Sequence, residues 1–444
     1  MYSNLLFAVA KYVGALGFDA NTNLGMRKTH KVLKPRAHRP NICRTKTAET
    51  RHSAERDPAM NFDELNEDQR LLRDSLQRAM TKILTPEYLH RMDQEGRYPY
   101  EAYQAWVDLG LAGRGIPEEY GGYGGTIEDL ALIAEDLAAW SYDLSTAYTV
   151  PLFTGQTLLK CGREEQKTEF LPQLAQGKIR MSVCISEPAA GSDVAAIQTR
   201  AVADGDHWVL NGQKVWITGA GVDNTLLHVY ARTDSTVTAR KGLSIFLIEN
   251  THPGIEFCKL EMLGRRGAGS YEVFLSDVRV HKSRILGEVN RGWEYLLAGL
   301  QGERALTSAG YAGASQSVVD LAASHARERR QFGKSIAEFQ AISHLLADMQ
   351  TEASAARLLA FSAAAKLARG QDALREVSMA KLFGSETYIK LANQGMQIMG
   401  ASGYSLEYPM QRHFRDARST TIGAGSSQMQ RSTIASTMDL VPAR

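Results

Sequence analysis

Only four of the 444 residues are cysteine: Cys43, Cys161, Cys184 and Cys258, scattered without a CxxC pair. That scarcity argues against a disulfide scaffold and a thiolate zinc site. An excess of one charge is also missing. The 51 Lys and Arg against 49 Asp and Glu leave a formal +2, far from the balance of a chain whose main partner is a nucleic-acid backbone. The most apolar stretch near the start, Leu5 to Phe18, is broken by Lys11 and shorter than the roughly 20 residues of a membrane helix. A GxGxxG after a strand, GxxxxGK[ST], HExxH and GxSxG are all absent, which weighs against nicotinamide dehydrogenases, NTPases and zinc proteases. Apolar residues are plentiful: 44% hydrophobic content excludes wholesale disorder. The length suggests about three domains at roughly 150 residues each. The expectation is a soluble, intracellular protein with no metal site.

Charge is unevenly placed. Residues 1–59 hold eleven Lys and Arg against four acids, a net of +7, so the rest of the chain carries −5. This leader is expected to be a disordered extension without a folded role, since Met60 opens MNFDELNEDQR, which reads like a natural start. A targeting or partner-binding arm is the alternative. Location follows from that choice: cytoplasmic, or the mitochondrial matrix if the leader is a targeting peptide.

From Asn66 onward Leu72, Leu76, Met80 and Ile83 recur at helical spacing, and similar patterns run to about Gln176. IPEEYGGYGGT (Ile116–Thr126) interrupts them as a loop. Near Met181 the texture becomes β-rich. In WVLNGQKVWIT (Trp208–Thr218), Asn211-Gly212 predicts a type I′ hairpin turn, and further strand candidates follow to Val280. After Trp293, long Ala- and Leu-rich helical segments predict a bundle. The expected domains are 60–179, helical; 180–288, β; and 289–444, helical.

Five segments carry candidate chemistry. ISEPAAGSD (Ile185–Asp193) is turn-prone, and alone reads as a loop. KVWIT (Lys214–Thr218) sets a large ring two residues from a hydroxyl on one strand face, although Trp216 is by default core. ARERRQFGKSIAEFQ (Ala326–Gln340) gathers arginines suited to a pyrophosphate or to a solvated face. MQIMGASGY (Met396–Tyr404) and RDARSTTIGAGSSQMQR (Arg415–Arg431) combine glycine and hydroxyls near helix ends, where anions or simple caps fit.

Taken together, at these separations on a helix–β–helix pattern, the EPxAGSD, NGxKxWIT and ERxxFG elements resemble the acyl-CoA dehydrogenase flavoprotein family. The resemblance covers about residues 60–444. It implies an α+β multidomain fold: an N-terminal all-α domain, a middle β-barrel and a C-terminal four-helix bundle. It implies FAD between the β domain and the bundle. Ile185 and Ser186 match the pair at the isoalloxazine edge, Thr218 the hydroxyl on flavin N5, and Trp216 the ring cover. Arg329 matches an arginine reaching the FAD pyrophosphate of a neighbouring subunit, with Gln340, Gln397, Ser426 and Gln428 as further cofactor contacts. A homo-oligomer, tetramer or dimer, follows from these contacts. Ser192, Arg304 and Gly425 match substrate positions, and Tyr148–Leu158 would line the acyl pocket.

The family reaction needs a base for the α-proton while hydride leaves the β-carbon for the flavin. Its commonest base is a glutamate in an EGT-like turn, but here Ala424 stands at that place. A subset carries the base on another helix immediately before an arginine, which matches Glu303-Arg304. Glu303 is therefore the expected base, with the Ala424 N–H on the thioester carbonyl. The bland alternative is that Glu303 pairs with a surface charge. Gln301 also departs from an acid that helps many members to bind CoA. The resemblance implies acyl-CoA dehydrogenation in fatty acid metabolism, with an electron-transfer flavoprotein as acceptor. A 2-enoyl-CoA reductase resembling the crotonobetainyl-CoA enzyme, an O2-using oxidase and a non-catalytic flavoprotein are its rivals.

Overall fold

The computed structural model describes residues 65–440, so the basic extension 1–59 lies outside the described residues. Helix α1 (Glu67–Ile83) starts at a reciprocal cap: Asn66 accepts from the Gln69 N–H, and the Gln69 side chain accepts from the Asn66 N–H. Its predicted stripe turns inward, with Leu76 and Met80 buried and Leu72 and Ile83 packed beside them. Helices α2 (Pro86–Glu95) and α3 (Tyr100–Asp108) complete this layer. Helices α4 (Ile127–Trp140) and α5 (Tyr142–Cys161) are buried nearly all round, as apolar helices flanked on both sides must be. Helix α6 (Glu164–Ala175) leads to the sheet.

The β region contains β1 (Arg180–Cys184), β2 (Arg200–Asp204), β3 (His207–Thr218), β4 (Thr225–Arg232), β5 (Leu243–Glu249), β6 (Ile255–Leu260) and β7 (Ser270–His281). Pairing runs β1-β4-β2-β3-β7-β6, with β5 on β4. The expected barrel is therefore corrected to an open half-barrel. β1 and the start of β2 share one edge of β4 in tandem, and β5 takes the other. The ladder never joins β5 to β6, and beyond β4 the described part of β5 meets only the isolated bridge Phe246↔Ile285.

The hairpin turn predicted at Asn211-Gly212 is also corrected. The chain reverses between Asp204 and His207, and β3 runs through Asn211-Gly212. Register against β7 slips between Leu210 and Gly212, which is a bulge. Gly212 is needed there because a Cβ would lie 2.5 Å from the Thr199 hydroxyl oxygen. Asn211 spends its amide on Asp277 across the sheet.

The C-terminal region is built on α7 (Gly292–Glu328), α8 (Gln340–Ala368) and α9 (Leu374–Met399), with α10 (Met410–Thr420) and α11 (Ser427–Ser436) packed against α9. Helix α7 also packs on α4 and α5, so one long helix joins the N-terminal layer to the bundle.

Candidate active site

Glu303 and Arg304 sit on α7, Glu303 half-buried and Arg304 buried. Burial pushes the Glu303 carboxyl above its ordinary pKa, and the cations Arg304, Lys381 and Arg265 pull against that rise. The Arg304 guanidinium is 3.4 Å from the Ser378 hydroxyl, and its Nε has no protein partner.

The loop before α11 faces this pair. Ala424 (φ 54°) and Gly425 (φ 79°) are consecutive left-handed residues, costly for alanine and natural for glycine. Their carbonyls turn to the Gln430 side-chain amide at 3.1 and 3.0 Å, and Gly425 O also accepts from Lys381 Nζ at 2.7 Å. Among the described residues neither the Ala424 nor the Gly425 N–H donates to a backbone or side-chain acceptor. A Cβ at Gly425 would lie 3.7 Å from an Arg304 guanidinium nitrogen, so loop and arginine are neighbours. Lys381 is fully buried on α9, and its ammonium is spent on the Thr420 and Gly425 carbonyls. Burial lowers its pKa to about 8 although Glu303 opposes the shift.

The sheet contributes a second group. Ile185 and Ser186 follow β1, and their carbonyls accept from Lys214 Nζ (3.1 Å) and the Val215 N–H (2.9 Å). Lys214 pairs with buried Glu187 at 2.8 Å, and Glu187 also accepts the Gln198 and Thr199 N–H groups. Burial raises the Glu187 pKa, but Lys214 and these donors hold it below the ordinary value. Trp216, read by default as core, is 59% exposed. Its φ of 65° falls where the β3–β7 register shifts between Lys214 and Ile217, and this bulge turns the indole outward. Thr218 is half-buried: its carbonyl accepts from Ser182 Oγ at 2.6 Å, and its hydroxyl from Arg265 at 3.4 Å.

Arg265 links the two groups. Its N–H donates to Asp416 on α10 at 2.6 Å, and the following Gly267 and Ala268 N–H groups donate to Asp143 on α5. Helices from both ends of the chain thus hold the β6–β7 loop against Thr218.

Other expected site residues lie elsewhere. Arg329, Gln340 and Gln397 are exposed at the end of the bundle where α7 stops, α8 starts and α9 stops. Glu303 on α7 and Arg329 at its C-cap are 26 residues apart, about 39 Å along the axis. Ser192 is exposed in the turn after Glu187, Gln428 is exposed on α11, and Ser426 caps α11 by accepting the Met429 N–H. Tyr148 turns into the N-terminal core, its hydroxyl on Leu111 O. A cavity lined by Thr146, Ala147, Val150 and Pro151 of α5 opens against Thr218 and Ala268, so the segment Tyr148–Leu158 contributes Val150 and Pro151 to it. Lys381, Arg265 and Gln430 went unread in the sequence. Their signal was faint: a lysine on the apolar face of α9, an arginine in a loop and a glutamine in the first turn of α11.

Comparison with known proteins decides the family. The descriptions "Acyl-CoA dehydrogenase, N-terminal domain", "middle domain" and "C-terminal domain" match residues 66–178, 182–278 and 290–438. The chain belongs to the acyl-CoA dehydrogenase family. It is thus an oxidoreductase acting on CH–CH groups, with FAD as cofactor. It is 38% identical over 379 residues to the probable acyl-CoA dehydrogenase YngJ of Bacillus subtilis, spanning 85% of this chain and 99% of that protein. It is 36% identical over 355 residues to the caffeyl-CoA reductase-Etf complex subunit CarC of Acetobacterium woodii, spanning 80% and 93%. A solved FAD-dependent dehydrogenase superposes with a TM-score of 0.78 at 30% identity, over 86% of this chain and all of that one. The site fits a flat ring system: the Trp216 indole is exposed beside a half-buried hydroxyl, and at Gly219 a Cβ would meet nothing within 4 Å.

Proposed function

We propose that the chain oxidises an acyl-CoA thioester between its α- and β-carbons, with Glu303 as base. The observation carrying this reading is the meeting of Glu303 with the free Ala424 and Gly425 N–H groups, across Arg304 and Lys381. The two amides donate to the thioester carbonyl and stabilise the negative charge it gains as the α-proton leaves. Glu303 takes that proton. Its raised pKa makes it a stronger base than an exposed carboxylate, and the surrounding cations keep enough of it ionised. FAD, when bound, supplies the two-electron acceptor. Trp216, the Thr218 hydroxyl and the backbone of Ile185 and Ser186 would hold its ring system. Ser192, Arg304 and Gly425 bind the CoA thioester.

Arg329, Gln340, Gln397, Ser426 and Gln428 serve the nucleotide part. The length of α7 between Arg329 and Glu303 supports a homo-oligomer, dimer or tetramer, in which one chain's Arg329 completes another chain's site. An electron-transfer flavoprotein reoxidises the enzyme, a reading supported by the Etf complex to which CarC belongs. That same relative favours a second reading, reduction of a 2-enoyl-CoA, with Glu303 returning the α-proton.

Anaerobic titration with saturated acyl-CoAs, following flavin absorbance, tests the proposal. Bleaching by one class is expected. Bleaching by none, with flavin bound, moves the assignment to the reductase.

A further inference from the structure

The backbone and the side chain of Arg265 have separate partners. Its N–H donates to Asp416 at 2.6 Å, while the guanidinium reaches the Thr218 hydroxyl at 3.4 Å and lies 5.8 Å from the centre of the Tyr142 ring. Anchoring the loop needs only the N–H, which any residue but proline supplies. The left-handed backbone here (φ 55°) makes a side chain costly at this position, so the loop alone gives no reason for an arginine.

The charge of that guanidinium is unspent. Its Nε is buried without a partner, and among the described residues no carboxylate lies within ion-pair distance of it. The carboxylates packed around the loop are engaged elsewhere: Asp143 accepts the Gly267 and Ala268 N–H groups, and Asp416 that of Arg265 itself. A cation with a buried nitrogen left open is short of a negative partner, and here that partner lies beside Thr218.

The Thr218 hydroxyl is one of the groups that would hold the flavin ring system. A hydride delivered to FAD leaves that ring system one negative charge richer, and a neighbouring cation favours the state that carries the charge. We propose that Arg265 tunes the bound FAD, raising its reduction potential above the value the rest of the site would set. The electron pair of the broken C–H bond still goes to FAD and the α-proton to Glu303, so no other oxidant or reductant enters. This inference rests on the placement of FAD beside Thr218.

The potential is read without any acyl-CoA, by anaerobic reduction of the FAD-loaded protein with dithionite against a reference dye. Arg265→Met removes the charge and leaves the Asp416 anchor in place. The equilibrium constant for two-electron reduction should then fall about ten- to hundredfold, within the range by which an arginine shifts a neighbouring carboxylate, which lowers the potential by about 30–60 mV. Arg265→Lys keeps the charge and should restore most of the loss. If the Met variant does not retain FAD, Arg265→Gln serves as the neutral substitute. A potential unchanged by the neutral variant overturns the inference. An equal fall in the neutral and Lys variants also overturns it, because shape rather than charge is then at work. Thr218→Val reports separately on the placement of the ring and should change the flavin absorbance spectrum. A changed spectrum with an unmoved Arg265→Met potential removes the inference alone. If Thr218→Val alters neither spectrum nor potential, the placement falls and the inference falls with it.

Discussion

At the scale of single residues, Glu303 is defined by three cations and by its burial. Glu303→Gln keeps the shape and removes the base, so flavin reduction should fall by about 10²–10⁴-fold while the protein stays yellow, which stopped-flow bleaching measures. Lys381 acts on the same carboxylate while gripping the 420–425 loop. Lys381→Met withdraws a positive charge that favours ionised Glu303, so the Glu303 pKa should rise further. Since the base must be ionised, the acid limb of the pH–rate profile should move to higher pH. A Lys381→Met limb at an unchanged pH would show that the lysine only holds the loop. Glu303-Arg304 was legible in the sequence because family resemblance and the alanine at 424 together pointed to it. Lys381 was not, because a lysine inside an amphipathic helix reads as solvent-facing until its neighbours are known.

At the scale of elements, the turn after β1 hangs on one buried ion pair. Lys214 is fully buried and Glu187 nearly so, and Glu187 also satisfies two backbone N–H groups. Glu187→Ala strands a buried ammonium and should cost about 3–5 kcal/mol, read as a lower urea midpoint at constant m. Because Ile185 and Ser186 lean on the same lysine and strand, flavin retention should fall as well. The strands were legible in the sequence as alternating β-rich runs. The bulges were not: Asn211-Gly212 has the composition of a turn, but close contact with Thr199 and pairing with Asp277 keep it within β3. The exposure of Trp216 likewise follows from a register shift, which local pattern does not encode.

At the scale of the whole molecule, α7 sets the candidate base Glu303 and its C-cap residue Arg329, a candidate cofactor contact, about 39 Å apart. Arg329→Ala should therefore weaken FAD retention without altering the local surroundings of Glu303. Mixing this variant with Glu303→Gln, under conditions that exchange subunits, should restore some activity, because hybrid oligomers pair an intact base with an intact arginine across chains. No recovery, with subunit exchange shown, would mean that Arg329 does not complete a partner chain's site. The amino-acid sequence by itself determined the helix–β–helix order and the family, and singled out Glu303 as the candidate base, because periodicity, turn chemistry and short motifs are local properties. Only the tertiary structure decided that the sheet stays open, that Trp216 faces outward, and that Lys381 and Arg265 converge on Glu303. Those outcomes depend on burial and on contacts between residues far apart in the chain, where the cost of an unpaired charge is set.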